Sequence, residues 1–109
     1  MIDKLKVVLA NFNDNRTYNG DGYYRVKPFD DGSYELEFSV SGSCGTFDSH
    51  PAIKFVLSPE SDAVTYLLYR DMLATPIKFF KPESDAEQEF VNLAFEQLVD
   101  KFYLLKWSS

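Results

Sequence analysis

Apolar and polar positions alternate most strictly from Tyr34 to Val40, where Tyr34, Leu36, Phe38 and Val40 interleave with Glu35, Glu37 and Ser39. A period of two sends successive side chains to opposite faces, which predicts a half-buried β-strand. The run Tyr23 to Phe29 precedes it, and Asp30-Asp31-Gly32 joins the two. A two-residue turn at Asp31-Gly32 would set Phe38 against Arg25 and Leu36 against Lys27, burying charge among apolar residues. A three-residue turn with Gly32 in the left-handed conformation pairs Val26 with Leu36 and Tyr24 with Phe38 instead. It also brings Arg25 opposite Glu37 and Lys27 opposite Glu35. The second register is therefore expected, with these charges forming an ion-pair ladder on the exposed side of the sheet.

Elsewhere the period changes. Ile2, Leu5, Val8, Leu9 and Phe12 recur at spacings of three and four, which predicts a short amphipathic helix closed by the Asn- and Gly-rich stretch 11–22. Ile53 to Leu57, after Pro51, and Ile77 to Phe80, after Pro76, read as strands. Ala63 to Tyr69 is rich in Val, Thr, Tyr and Leu and also reads as a strand, because a helix there would carry Asp71 into its apolar stripe.

From Ser84 onward the pattern is helical. Ser84 and Glu87 have capping-box spacing, Asp85 suits the positive end of the helix dipole, and Lys101 and Lys106 suit the negative end. Phe90, Leu93, Ala94, Leu98, Phe102 and Leu105 are expected to face the sheet, with Asp85, Glu89, Asn92, Glu96 and Asp100 on the polar side. The whole predicts one α+β domain over residues 1–109: an antiparallel sheet of four to five strands, a short N-terminal helix, and a long C-terminal helix packed on the sheet. A near repeat, Ile53-Lys54-Phe55 with Pro59 to Ala63 and Ile77-Lys78-Phe79 with Pro82 to Ala86, suggests that two strands leave the sheet through the same sort of turn.

Composition narrows the chemistry. At 109 residues and 45% hydrophobic content the chain can fill a single core, and its one cysteine cannot form an internal disulfide. No apolar run approaches the ~20 residues of a membrane span, and the charged first segment does not resemble a signal peptide, so a soluble cytoplasmic protein without a membrane partner is expected. A net charge of −6 weighs against nucleic-acid binding, which draws on Lys and Arg to neutralise phosphates.

Cys44, Asp48 and His50 lie close together in the stretch Ser41 to His50, read as a loop. A thiol nucleophile with an imidazole base is conceivable chemistry there, as is a mixed metal site. Neither has paired ligand spacing behind it, and nearness in sequence does not secure hydrogen-bond reach. The stretch is read as a connection, with Cys44 a small filler. Acidic residues between Asn13 and Gly22 lack the order of a calcium loop. No catalytic, metal or cofactor residues are therefore expected, and no cofactor.

Tyr18, Tyr23, Tyr66, Tyr69, Tyr103 and Trp107 remain once core positions are assigned, and such aromatics concentrate at interfaces. The function expected is a non-enzymatic acidic protein-binding module, such as an inhibitor, an immunity or anti-defence factor, or an assembly adaptor. It would capture a partner's basic surface through Asp85, Glu89, Glu96, Asp100, Tyr103 and Trp107. The alternatives are a small enzyme or ligand-binding domain using the Cys44 and His50 stretch, and a structural subunit or homodimer joined at a sheet edge or at the Trp107 end.

Overall fold

The computed structural model describes residues 2–42 and 45–107, with side chains through Leu105. Helix α1 (Ile2–Asn11) is followed by strands β1 (Thr17–Tyr18), β2 (Tyr23–Pro28), β3 (Tyr34–Ser41), β4 (Phe47–Leu57), β5 (Val64–Asp71) and β6 (Lys78–Phe80), and by helix α2 (Asp85–Trp107). All strands lie in one antiparallel sheet in chain order, a simple meander. The sheet has six strands where four to five are expected, the added one being the two-residue β1.

The β2–β3 register is the expected one: Val26 faces Leu36, Tyr24 faces Phe38, Arg25 faces Glu37 and Lys27 faces Glu35. Gly32 closes the turn with φ +88°, a conformation that a Cβ disfavours. Phe29 N–H donates to the Ser33 carbonyl at 2.9 Å, leaving Asp30, Asp31 and Gly32 as the turn.

Both helices supply buried residues to one cluster on one face of the sheet: Leu5 and Val8 from α1, and Val91, Phe95, Leu98, Val99 and Phe102 from α2. They meet Tyr24, Val26, Leu36, Phe38, Ile53, Phe55, Tyr66 and Tyr69. The expected apolar face of α2 is thus corrected. The buried stripe is rotated, and Phe90 and Leu93 are 43% and 57% exposed. Apolar residues occupy two adjacent stripes of this helix, and only one can face the sheet. Phe95 decides which: its ring lies 4.8 Å from that of Phe55 and 5.2 Å from that of Tyr66. Tyr66 Oη also donates to Asn92 Oδ1 at 2.5 Å.

Three further expectations are corrected. Phe47 to His50 belongs to β4, so the supposed loop is shorter and Pro51 lies inside a strand. On β3 the register steps from Glu37 to Ser39 while on β4 it steps from Ala52 to Ser49, so a bulge at His50 and Pro51 absorbs the residue that cannot donate to a ladder. The Glu35 and Glu37 ladder is not exposed: the two residues are 7% and 2% accessible. Finally, the repeated segments diverge. Ser58 to Ala63 makes the β4–β5 turn, closed by Ser58 N–H to the Ala63 carbonyl at 2.9 Å, whereas Ser84 starts α2. The second copy continues into Glu87, whose Oε1 accepts Ser84 N–H while Ser84 Oγ accepts Glu87 N–H, each at 3.1 Å. Three residues after Ser61 stands Val64, which can make no such box.

Candidate functional site

Among the described residues, nine large apolar side chains are exposed, and six of them fall between Met72 and Leu93: Met72, Leu73, Ile77, Phe79, Phe90 and Leu93. The other three, Tyr18, Phe47 and Leu104, lie elsewhere in the chain. Ile77 precedes β6, an edge strand, and Phe79 lies within it; together with Phe80, Ala86 and Phe90 they line a groove of about 520 Å³ between that strand and the start of α2. Clustered apolar exposure of this kind marks contact surfaces more often than scattered residues do.

Carboxylates edge the patch. Asp85 and Glu89 are exposed, and Glu89, Leu93 and Glu96 follow one another on a single helical stripe. Glu96 is partly covered and faces Asn92, whose Nδ2 approaches its Oε1 at 3.5 Å. Asp100 is exposed but held by Lys4 Nζ at 3.0 Å. Burial, with the Glu96 charge nearby, pushes the Tyr66 hydroxyl up to about 12, so it remains a donor to Asn92. Tyr103 is half-buried against the core with Lys4 over its ring, and so stands apart from the apolar patch. The Trp107 side chain lies outside the described residues, as does Cys44.

Of the other tyrosines left over by the sequence reading, Tyr66 and Tyr69 prove to be core. Tyr18 is exposed and joins Tyr23 and Phe47 in a chain of ring contacts, each 5.0 Å between centroids. The patch at Ile77 and Phe79 escaped the sequence reading. Its signal was a short strand, apolar at nearly every position, at the end of the sheet order.

Asp48 and His50, expected in one loop, are both on β4, and His50 turns instead to a residue 21 positions away: its Nδ1 lies 2.7 Å from Asp71 Oδ1. The same oxygen accepts the backbone N–H groups of Leu73 at 3.1 Å and Ala74 at 3.2 Å. Asp71 thus ends β5 by capping the following turn and orients the imidazole in doing so. The pair opens onto a cleft of about 300 Å³ between the sheet and α2, with Gln97 and Lys101 across from it.

On the sheet face that neither helix covers, Glu37 gathers four donors. Arg16 and Arg25 reach its Oε1 at 3.1 Å, Arg70 reaches Oε2 at 3.4 Å, and Ser49 Oγ donates to Oε2 at 2.6 Å. Glu35 is served less closely, by Arg70 at 3.7 Å and Arg25 at 3.9 Å. Burial raises its carboxyl above the ordinary glutamate value, with Arg70 and Arg25 opposing. No group of three or more His, Cys, Asp and Glu side chains capable of holding a metal occurs among the described residues. No described helix is long and apolar enough to cross a membrane.

Comparison with family models, curated proteins and solved structures finds no match to this chain.

Proposed function

We propose that the protein is a non-enzymatic binding module that captures a protein partner through the apolar patch of Ile77, Phe79, Phe90 and Leu93 and its acidic edge. The observation that carries this reading is the groove that the exposed residues Ile77, Phe79 and Phe90 line together, with exposed Leu93 one turn further along α2 beside its carboxylates. Apolar residues supply the desolvated centre of an interface, and charges at the rim supply orientation and on-rate. With Asp85, Glu89 and Glu96 along the edge, the fitting partner presents an apolar anchor flanked by Lys or Arg. An inhibitor, an immunity or anti-defence factor and an assembly adaptor are all modules of this kind.

The test is affinity capture from cells of origin with wild-type protein, with Glu89→Lys/Glu96→Lys, and with Phe79→Asp/Leu93→Asp, at low and high salt. A stoichiometric partner is expected with wild type, weakened by the charge reversals chiefly at low salt and lost with the apolar replacements. A partner retained by both variants, or none retained by wild type, overturns the reading. Because β6 is an outer strand, a second copy is the competing occupant. Sedimentation at rising protein concentration separates the two.

A further inference from the structure

We infer that the cleft between the β4–β5 strands and α2 is a second, separate binding site, for a small organic anion with a flat apolar body. Phe38, Pro51, Ala94 and Leu98 supply its apolar walls, while His50, Asp71, Gln97 and Lys101 supply its polar ones. At about 300 Å³ it lies at the small end of ligand sites.

Its polarity follows from where the charges point. Asp71 is 8% exposed, and its Oδ1 is committed to His50 Nδ1 and to two backbone N–H groups. Its hydrogen-bonding capacity is therefore largely taken up within the protein, with Tyr69 bonding it as well. The Nδ1 contact places the outer ring nitrogen, Nε2, away from Asp71, and no described residue bonds it. Lys101 Nζ stands 4.3 Å from the centre of the Phe38 ring, at the junction of the polar and apolar walls. Its partner Asp21, at 3.1 Å, is 49% exposed, and half-exposed pairs of this kind exchange readily for a better-placed anion. An ammonium and an amide across from aliphatic and aromatic walls fit a carboxylate or phosphate on an aromatic or branched aliphatic body, while the imidazole edge, with Nδ1–H turned to Asp71, lines the cleft as an acceptor. The bulge at His50 and Pro51 interrupts the regular ladder at this site, as bulges do where a strand must re-aim a side chain.

His50 is the chain's one histidine, so its ring C–H resonances need no assignment and report on the cleft directly. The experiment titrates the intact protein at constant ionic strength with phenylacetate, with phenylphosphate and, as a cationic control of similar shape, with phenethylamine. A saturable shift of the His50 signals is expected with at least one of the two anions, half-complete below about 1 mM, and no saturable shift with the amine. Lys101→Gln should weaken binding about tenfold, the worth of one charge-assisted hydrogen bond. Ala94→Phe, which fills the cleft from the helix side, should abolish it. The amine binding as well as the anions, shifts that stay linear with concentration, or saturation unchanged in both variants would each overturn the assignment. Glu89→Lys/Glu96→Lys should leave the titration intact, which separates this site from the protein-binding patch.

Discussion

The two faces of the sheet come from the same alternation in β2 and β3, yet they are held in opposite ways. On the face beneath the helices, Phe55, Phe95 and Phe102 are fully buried among other apolar side chains. Removing such groups from water is favourable by itself, at about 25 cal/mol per Å² of apolar surface, and asks little of geometry. On the open face the buried charged groups are Glu35 and Glu37, whose burial is favourable only while arginines from β2, β5 and the segment before β1 stay in place. The arginines cover the carboxylates with their own aliphatic stems, so the chain makes a thin second layer without spending a helix on it. That layer is less complete. Arg16 Nε, Arg25 Nε and Ser39 Oγ are buried without a partner among the described residues. The core face therefore carries most of the stability and selects the register, and the ion pairs of the open face agree with that register.

The largest expected effect is on the core face. Phe95→Ala should lower unfolding free energy by about 3–5 kcal/mol in urea titrations, a large part of the total for a domain of this size. Phe90→Ala, on the exposed stripe of the same helix, should cost several-fold less. Similar losses for the two would mean that α2 is rotated differently. On the open face the comparison is sharpened by pairs rather than by single losses. A double-mutant cycle between Arg25 and Glu37 should show coupling above about 1 kcal/mol, because removing either leaves a buried charge unpaired. The cycle for Lys27 and Glu35, opposite in register but not in ionic contact, should give much less. Equal small couplings would return both pairs to the status of a solvated surface ladder.

How much of this was legible in the sequence depended on how far apart the cooperating residues lie. The register of β2 and β3 could be read because the turn and both strands are contiguous and only one register keeps Tyr24, Val26, Leu36 and Phe38 together. The capping box at Ser84 was legible for the same reason. Burial of Glu37 was not, because it depends on Arg16, 21 positions before it, and Arg70, 33 positions after it. The partnership of His50 with Asp71 also spans 21 positions and leaves no local trace. Pro51 misled, since a proline ordinarily marks the end of a strand and only the bulge lets β4 run through it. The rotation of α2 was hidden for a different reason. Its sequence carries two apolar stripes, and choosing between them required the positions of Phe55 and Tyr66 on the sheet.

The smallest expected effect distinguishes the two carboxylates that share the open face. The Glu35 carboxyl is raised above its ordinary value of 4.5, first by burial and only partly offset by Arg70. A raised value means that the folded state holds this proton more tightly than the unfolded state does, so the folded chain binds more protons just above 4.5. Stability contributed by Glu35 should then rise as pH falls from about 7 toward 4.5, and decline as pH rises through the same window. Carboxylates held low, such as Asp21 beside Lys101, act below that range, where their stabilisation is lost on further acidification. Urea midpoints of wild type and Glu35→Gln, measured at steps across the window, isolate the term. The wild type should gain on the variant as pH falls. The reverse slope would show that Arg70 and Arg25 more than compensate the burial, and the open face would then be as well satisfied at Glu35 as its geometry makes it at Glu37.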